Sequence, residues 1–255
     1  MRLATWNVNG IRAREGLVAD WLGRVQPDLL LLQEVKCEEG VFPAMRFAGL
    51  GYRSEVVGQK GYNGVAVLSR EPVGVAARAL PGCEDQARYL EVETGGIRVG
   101  NLYLPNGNSR GEAGYQNKLG FLSSLAERAA GLLAGDVPMV LAGDYNVCPE
   151  DRDYAPGTLG ARDALVRAET RAAYRRLVWL GLTDAVRALH PDEQVWTFWD
   201  YQGGAWARDR GLRIDHALLS PELAERLVSA GPDRMERDRA QPSDHVPVVI
   251  ELGGL

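Results

Sequence analysis

The first stretch that could do chemistry is a short polar group after an apolar run. Residues 137–142 are mostly apolar, and Gly143-Asp144-Tyr145-Asn146 follows them directly. An apolar run bounded by proline and glycine predicts a buried strand. Alternation along an extended chain would place Asp144 and Asn146 on one side, where a carboxylate and an amide can orient a water or ligate a hard cation. The alternative is an Asx turn after the strand.

Four other predicted strands also have polar residues at one end. Their side chains offer amide, carboxylate or imidazole groups: Asn7, Glu34, Asp215, and the pair Asp244 and His245. Taken singly, such residues are usually solvated turn formers. Five strands of this kind point instead to one shared site. Hard oxygen ligands with a single imidazole favour Mg²⁺ or Mn²⁺ over zinc.

The elements that must position these residues alternate between strands and helices. Arg2–Val8 has strand character, and Ile11–Val25 has apolar residues at helical spacing. Further strands are predicted at residues 29–32, 65–69, 89–93, 97–104, 137–142, 212–219 and 246–250, and further helices at 118–133 and 171–180. Trp21 and Trp179 are expected to be packing residues on helices. His216, which would face the opposite side of its strand from Asp215, is expected either in the core or as a support for the site residues.

The chain contains a faint internal repeat. In each half, a strand with a polar end is followed by a helix and another strand. Two such halves, packed sheet to sheet with helices outside, would bring their strand ends to one rim. Residues 150–168 are irregular and are expected to form a long surface loop. Since no linker or charge block divides the chain, we expect one domain over residues 1–255.

Composition and charge exclude several classes of protein. The 255 residues, 45% of them hydrophobic, allow a large core. No stretch is long and apolar enough for a membrane span, and no signal peptide is expected before the first strand. Three scattered cysteines argue against zinc and disulfides, so a cytoplasmic location is expected. The formal net charge of -5 argues against a simple basic coat for nucleic acid.

Charge distribution modifies that last conclusion. Residues 1–130 carry 15 basic and 14 acidic side chains, whereas residues 131–255 carry 14 and 20. An acidic cluster that binds a divalent cation changes its charge, so the formal sum understates attraction for a polyanion. Of the 29 basic residues, 26 are arginine, which suits bidentate phosphate contacts.

Six motifs resemble those of the exonuclease III family, which are DNA-repair AP endonucleases and 3′-exonucleases. They occur in the family's order: Thr5-Trp6-Asn7-Val8-Asn9-Gly10, Gln33-Glu34-Val35-Lys36, Tyr103-Leu104-Pro105-Asn106-Gly107, Gly143-Asp144-Tyr145-Asn146, Arg210-Gly211-Leu212-Arg213-Ile214-Asp215 and Ser243-Asp244-His245. The fourth and sixth mark only the endonuclease/exonuclease/phosphatase superfamily, whereas the first, second and fifth are more specific to nucleases. The resemblance implies a four-layer α/β/β/α sandwich of two packed mixed sheets with helices outside and the site on one rim.

The resemblance also implies roles for the residues at the strand ends. Glu34 would ligate Mg²⁺, for which Mn²⁺ could substitute, with Asn7 and Asp244 nearby. A cation there would neutralise the scissile phosphate and steady the leaving 3′ oxygen. Asp144 would orient or deprotonate the attacking water, and Asn146 would fix the position of that water.

Further roles follow from the same resemblance. Asp215 would hold His245, whose imidazole can donate to a phosphate oxygen as charge builds up. Tyr103 would offer its hydroxyl to the same phosphate, and Asn106 would contact the DNA backbone nearby. Lys36 is either a further substrate contact or an ordinary surface lysine.

The span Trp196–Gly211 is dense in aromatic residues and glycine. An enzyme that acts at an abasic sugar must extrude that nucleotide into a pocket whose apolar walls reject a normal base. Phe198, which stands where the family usually has Trp, and Trp199 are the candidates for these walls. Four arginines in the flanking loops could contact DNA phosphates: Arg208, Arg210, Arg162 and Arg167. The alternative is that they are only solvated, as most loop arginines are.

The favoured function is that of an Mg²⁺-dependent, exodeoxyribonuclease III-like phosphodiesterase. It would incise duplex DNA 5′ to abasic sites and remove nucleotides or blocking groups from 3′ ends, as a monomer. The alternative is a superfamily phosphoesterase for a substrate other than nucleic acid, against which the Gly-Leu-Arg-Ile-Asp motif counts. A DNA-binding protein without catalysis is disfavoured because these residues are intact: Glu34, Asp144, Asn146, Asp215 and His245.

Overall fold

Two six-stranded sheets form the centre of the fold. The computed structural model describes residues 1–254, so Leu255, the last residue of the expected domain, lies outside the described residues. The first sheet contains β1 (Arg2–Asn7), β2 (Leu29–Gln33), β3 (Arg53–Val57), β4 (Val65–Ser69), β11 (Leu227–Pro232) and β12 (Val248–Leu252), in the order β11-β12-β1-β2-β4-β3. The second contains β5 (Gly74–Ala77), β6 (Tyr89–Thr94), β7 (Ile97–Tyr103), β8 (Met139–Asp144), β9 (Thr183–Asp184) and β10 (Asp215–Leu219), in the order β5-β6-β7-β8-β10-β9.

Helices cover the outer faces of both sheets. The helices are α1 (Ile11–Val25), α2 (Ala44–Ala48), α3 (Gly111–Ala134), α4 (Ala168–Trp179) and the short α5 (Ala185–Leu189) and α6 (Pro221–Ala224). Apolar residues of α1 and α2 pack on the first sheet, and those of α3 and α4 pack on the second. A third apolar cluster lies between the sheets. The expected α/β/β/α sandwich of two mixed sheets is confirmed.

Strand β2 shows why the sequence folds this way. Its four consecutive leucines are buried on both faces, as expected for a central strand covered on either side. Leu29 and Leu31 face the second sheet, whereas Leu30 and Leu32 face α1. Alternation along the strand therefore supplies two layers of core from one apolar run.

Parallel pairing brings the polar strand ends to one edge. In the first sheet β1 and β2 are parallel, with Asn7 opposite Gln33, and α1 connects them. In the second sheet β7 and β8 are parallel, with Tyr103 opposite Asp144, and α3 connects them. Strand β10 runs antiparallel to β8 and begins with Asp215 opposite Asp144. One end of each of five strands therefore lies at the same edge of the sandwich, which we call the rim; these strands are β1, β2, β7, β8 and β10.

Several expectations about single elements are corrected. Helix α1 has the predicted bounds. Helix α3 begins at Gly111, whereas the sequence predicted Lys118; the earlier start was missed because the first turns of α3 are largely exposed and show no apolar period. The edge strands β3, β5 and β11 were missed, since their exposed residues lack a clear apolar pattern. Trp179 is 78% exposed, so the prediction that it is a packing residue is wrong, whereas Trp21 is buried as predicted. Within residues 1–254, no helix has the length and hydrophobicity needed to cross a membrane.

Candidate active site

Asn7 joins the two halves of the rim. Its amide nitrogen donates to Glu34 Oε1 at 2.9 Å and to Asp144 Oδ2 at 2.9 Å. Asn7 ends β1 in the first sheet, Glu34 follows β2, and Asp144 ends β8 in the second sheet. The fully buried Asn7 side chain therefore bridges the two sheets at the edge where the polar strand ends meet.

A histidine–aspartate pair lies beside this bridge. His245 Nδ1 is 2.8 Å from Asp215 Oδ2, which also accepts a hydrogen bond from the Thr197 hydroxyl at 2.6 Å. His245 Nε2 lies 3.8 Å from Asp144 Oδ2. Because Asp215 holds Nδ1, the other ring nitrogen is directed toward Asp144. Thr197 was missed by sequence reasoning, since nothing local marks it as a partner of Asp215.

Burial and mutual repulsion perturb the charges of this cluster. Burial raises the pKa of Asp144, Asp215 and Glu34 raise it further, and His245 opposes them only in part. Burial alone would lower the pKa of His245, but the Asp215 and Asp144 carboxylates raise it well above its ordinary value. The two carboxylates therefore favour the protonated, cationic form of His245. Because Lys36 pairs with Glu34, Asp144 and Asp215 are left to share this imidazolium, so this part of the site keeps an excess of negative charge.

Two arrangements of a metal ion are compatible with the donor atoms. Asp144, Asp215 and His245 bring possible ligand atoms within 4.8 Å of one another. A histidine must be neutral to bind a metal, however, whereas the Asp215 and Asp144 carboxylates raise the pKa of His245 and Asp215 already holds its Nδ1. Glu34 is better suited, because Asn7 and Lys36 overcome the effect of burial and lower the pKa of its carboxyl. An ionised carboxylate beside excess negative charge fits a hard divalent cation.

Asp244 is connected to Glu34 through two intermediate side chains. Asp244 Oδ1 accepts a hydrogen bond from Asn9 Nδ2 at 3.1 Å, and Asn9 Oδ1 accepts one from Lys36. Lys36 Nζ lies 2.8 Å from Glu34 Oε2. Lys36 is thus paired with a site carboxylate. Asn9 was not predicted, although the repeated Asn-x-Asn of the first motif could have identified it.

The segment after β8 contains the Asx turn that was one of the two interpretations. The backbone N–H of Asn146 donates to Asp144 Oδ1 at 2.9 Å. The strand ends at Asp144, so alternation does not decide where Asn146 points. Asn146 donates to the Leu104 carbonyl at 3.0 Å and accepts from Asn106 Nδ2 at 2.9 Å. Asn106 and Asn146 therefore form a pair next to Asp144.

Unusual backbone conformations are concentrated at this rim. Asn9, Glu34, Lys36 and Asn146 have φ angles of 46°, 53°, 54° and 49°. Positive φ is uncommon outside glycine and is retained where the surrounding structure enforces it. Here it turns the chain sharply at the strand ends, so that neighbouring polar side chains converge.

Two basic residues that the sequence did not single out support the site. The Arg88 guanidinium carbon lies 4.5 Å from the centre of the Tyr103 ring, and Arg88 donates to the Tyr103 carbonyl at 3.1 Å. Burial and the nearby carboxylates raise the pKa of Tyr103, so its hydroxyl keeps its proton. Lys118 is fully buried and donates to the carbonyls of Asn106 and Asn146. Burial lowers the pKa of Lys118 to about 7.

The two predicted aromatic wall residues are placed differently. Phe198 is partly exposed, and its ring packs edge-on against His245 with 4.9 Å between ring centres. Trp199 is fully buried, packs against Trp206 and donates from its indole to Asp209. The expectation that Trp199 lines a substrate pocket is therefore corrected. Its indole is buried and packs against Trp206 of the same aromatic segment, so it stabilises that segment.

The four loop arginines differ in their surroundings. Arg208 and Arg162 are exposed. Arg210 donates to the Gly157 carbonyl at 3.0 Å, and the Arg167 guanidinium lies 3.5 Å from the centre of the Tyr115 ring. The side chains of Arg210 and Arg167 are thus already engaged in protein contacts.

The chain is similar to known proteins over nearly its whole length. A model of the endonuclease/exonuclease/phosphatase family matches residues 4–245. Exodeoxyribonuclease III of Haemophilus influenzae is 34% identical over 266 residues, which cover 99% of this chain and 100% of that relative. An AP endonuclease from Archaeoglobus fulgidus has a TM-score of 0.94 and 36% identity, with 100% of both chains covered. The 3′ phosphatase NExo from Neisseria, bound to product DNA hairpin, has a TM-score of 0.95 and 34% identity, again with 100% of both covered.

Proposed function

The chain belongs to the endonuclease/exonuclease/phosphatase family and is a phosphodiester hydrolase of DNA repair, and we propose that it incises duplex DNA 5′ to abasic sites and trims 3′ ends with a bound Mg²⁺ ion. One observation carries this proposal. A continuous series of short contacts runs from Asp215 through His245 and Asp144 to Asn7 and Glu34. It combines a proton acceptor, a cationic donor and a metal ligand within one rim.

Glu34 is the main metal ligand in this proposal, with Asp244 nearby. A bound Mg²⁺ ion would neutralise negative charge on the scissile phosphate and on the leaving 3′ oxygen. Mn²⁺ could take its place. Asn7 holds the Glu34 carboxylate through its amide N–H. Lys36 pairs with the other Glu34 oxygen and balances part of its charge.

Asp144 acts on the attacking water. Its pKa is raised by burial, so the carboxylate is a stronger proton acceptor at neutral pH than an ordinary aspartate. The water oxygen attacks phosphorus, Asp144 orients the water or accepts its proton, and the bond from phosphorus to the 3′ oxygen breaks. The 3′ oxygen leaves with the bonding electron pair and takes up a proton from solvent, which gives a 3′ hydroxyl and a 5′ phosphate. The Asn106 and Asn146 amides lie beside this carboxylate and fix the water and the DNA backbone.

His245 and Tyr103 stabilise the charge that develops on the phosphate. Asp215 holds the imidazolium, so Nε2 can donate to a non-bridging phosphate oxygen. The Tyr103 hydroxyl, which keeps its proton, donates to the same phosphate. Both donors are held in place before substrate binds, which lowers the reorganisation needed in the transition state.

The abasic sugar would bind beside Phe198. A cavity of about 390 Å³ is lined by Phe198, Leu212, Leu159 and Arg210, among others. Its apolar side would accept an extruded sugar without a base. Arg208, exposed on the same loop, is proposed to contact a DNA phosphate.

We further propose that the chain acts as a monomer in the cytoplasm and forms one domain. The three cysteines are all free, which supports a reducing compartment. Strands β11 and β12 return to the sheet that contains β1, which supports a single folding unit.

Incision of labelled duplexes tests the function. We expect cleavage 5′ to an abasic analogue with Mg²⁺, loss of this cleavage with a chelator, and recovery when Mg²⁺ is added back. Duplexes with recessed 3′ ends measure 3′-exonuclease activity, and duplexes with 3′-phosphate ends measure removal of a blocking group. The control variant is Trp179→Ser, a change at a highly exposed residue. Failure to incise abasic duplex with Mg²⁺ contradicts the proposal. Turnover of a small phosphodiester without preference for DNA would support the alternative substrate class.

A further inference from the structure

Beneath the rim, three polar side chains connect the two sheets. Gln33 Nε2 donates to Thr5 Oγ1 at 2.9 Å and, across the gap between the sheets, to Asn101 Oδ1 at 2.8 Å. Asn101 Nδ2 donates back to the backbone carbonyls of Leu32 and Ala66 at 3.0 and 2.8 Å. We call Thr5, Gln33 and Asn101 the amide layer.

The amide layer lies directly below the catalytic residues. Each member precedes a site residue by one or two positions: Thr5 before Asn7, Gln33 before Glu34, and Asn101 before Tyr103. Alternate residues of a strand face the same side, so two members point in the same direction as the site residue above them. At a rise of about 3.3 Å per residue, Thr5 and Asn101 lie roughly 7 Å below Asn7 and Tyr103. Gln33 stands opposite Asn7 in the register, and its side chain donates to Thr5 and Asn101.

Stability does not account for this layer. All three side chains are fully buried, and their strand neighbours Leu31 and Val99 belong to the apolar core between the sheets. Among residues 1–254, Gln33 Oε1 has no hydrogen-bond partner. A buried acceptor without a partner costs stability, and apolar side chains of similar shape are often at least as stable in such positions.

We propose that the amide layer positions the catalytic residues by fixing the spacing of the two sheets at the rim. The inference rests on the proposed function. Asn7 must reach Asp144 on the other sheet while it also holds Glu34, and both contacts are 2.9 Å long. A separation larger by about 1 Å would break the contact to Asp144. Gln33 and Asn101 are thus positioning residues, which act through Asn7 and Tyr103 and touch no substrate.

The double variant Gln33→Leu/Asn101→Leu tests this role. It removes both amides and leaves apolar side chains of similar size. Since small misplacements of catalytic groups cost up to about a hundredfold, we expect kcat on abasic duplex to fall about 10- to 100-fold. KM should stay within about threefold, because the loops that contact DNA are unchanged. The thermal midpoint should change little, because removal of two buried amides offsets the loss of their bonds to Thr5 and to the Leu32 and Ala66 carbonyls.

An exchange of the two amides provides a rescue. Gln33→Asn/Asn101→Gln keeps both amides and the combined length of the two side chains. We expect its kcat to exceed that of Gln33→Asn alone and that of the leucine pair. A layer that only stabilised the fold would not produce this order, because the leucine pair is expected to be as stable as the parent.

Val99→Ala is the matched control. Val99 is fully buried in the same core, two positions before Asn101 on β7. The cavity should lower the thermal midpoint, whereas kcat should stay within about twofold of the parent because the amide layer is intact. Loss of stability and loss of turnover would then be separated.

Two results would overturn the inference. One is turnover by the leucine pair within about twofold of the parent. The other is a crystal structure of that variant in which Asn7 and Asp144 remain in hydrogen-bond contact. This second measurement does not depend on activity, so it decides the inference even if the parent chain fails to cleave DNA, a result that would refute the proposed function instead.

Discussion

Two buried clusters of charged residues lie on opposite faces of β10. Asp215 and His216 are neighbours on this strand, both are fully buried, and alternation directs them to opposite sides. Asp215 belongs with Asp144, His245 and Glu34 to the group at the rim, which we call the rim cluster. His216 belongs to a second group, which we call the Arg213 cluster. Of the two positions expected for His216, the structure places it in the core.

Charges in the Arg213 cluster are matched. Arg213 donates to Asp153 at 2.7 Å and to Asp184 at 2.7 Å, and Arg187 also pairs with Asp153. His216 contacts the Val147 carbonyl at 2.9 Å. Burial alone would raise the pKa of Asp184, but Arg213 and His216 bring it far below its ordinary value. Both carboxylates are therefore ionised, paired and stabilising.

Charges in the rim cluster are less well matched. Lys36 pairs with Glu34, but Asp144 and Asp215 share one imidazole, and the pKa of Asp144 is raised instead of lowered. In the Arg213 cluster, buried carboxylates pair with guanidinium groups and stabilise the fold. In the rim cluster, Asp144 and Asp215 share a histidine instead, and the raised pKa of Asp144 makes it a candidate proton acceptor. Perturbed carboxylates of this second kind are typical of functional sites.

The largest expected effect is that of Asp144→Asn. The amide keeps the shape but accepts no proton, so kcat on abasic duplex should fall about 10³- to 10⁴-fold. The thermal midpoint should stay the same or rise, because a buried, unmatched charge is removed. Calorimetry and incision assays on the same preparation check both. A clear fall in the midpoint would show that Asp144 is as structural as Asp184.

Arg213→Met should produce the opposite pattern. It leaves two buried carboxylates without their main partner, so the free energy of unfolding should fall by about 3–5 kcal/mol. Incision per folded molecule should change little, since Arg213 faces away from the rim. Urea unfolding measures the loss, and Arg176→Met, at an exposed position on α4, should change stability by no more than about 0.5 kcal/mol. Equal effects of the two methionine variants would contradict the matched-charge interpretation.

Acid should weaken the Arg213 cluster. Because the pKa of Asp184 is lower in the folded chain than in the unfolded one, its contribution is fully present above about pH 4 and is lost as the pH falls toward the folded value. The difference in unfolding free energy between the parent and Asp184→Asn should therefore be largest above about pH 5 and shrink in stronger acid. A difference that is independent of pH would contradict this account.

Thr197→Val should have the smallest of these effects. It removes the hydroxyl that donates to Asp215, so His245 is held less firmly. We expect a loss of about 1 kcal/mol in transition-state stabilisation, or roughly a five- to tenfold fall in kcat. Thr197→Ser keeps the hydroxyl and should retain most of the activity. If both variants were equally impaired, the methyl group and not the hydrogen bond would be the important feature of Thr197.

Local pattern was enough to predict much of this architecture. The helical period of α1 and the four leucines of β2 are strong local signals, and both elements have the expected type and position. Asp144, Glu34 and Asp215 could be identified as candidates because each lies at the end of a strand. The structure shows why they meet, since parallel pairing brings strand ends to one edge.

Features that depend on distant parts of the chain were not predictable. Trp179 follows the helical pattern of α4, but nothing packs over it, and Trp199 is covered by Trp206 and Asp209 from its own loop. Arg88 and Lys118 are single basic residues whose partners lie elsewhere in the sequence. Such contacts are set by how layers stack, which no local period encodes.

The position of β12 has a consequence for the synthesis of the protein. Strand β1 lies between β2 and β12, and Asp244 and His245 come just before β12 in the sequence. A nascent polypeptide that stops short of Asp244 lacks Asp244 and His245 and leaves one edge of β1 unpaired. The first sheet can therefore close around β1 only after nearly the whole chain has been synthesised.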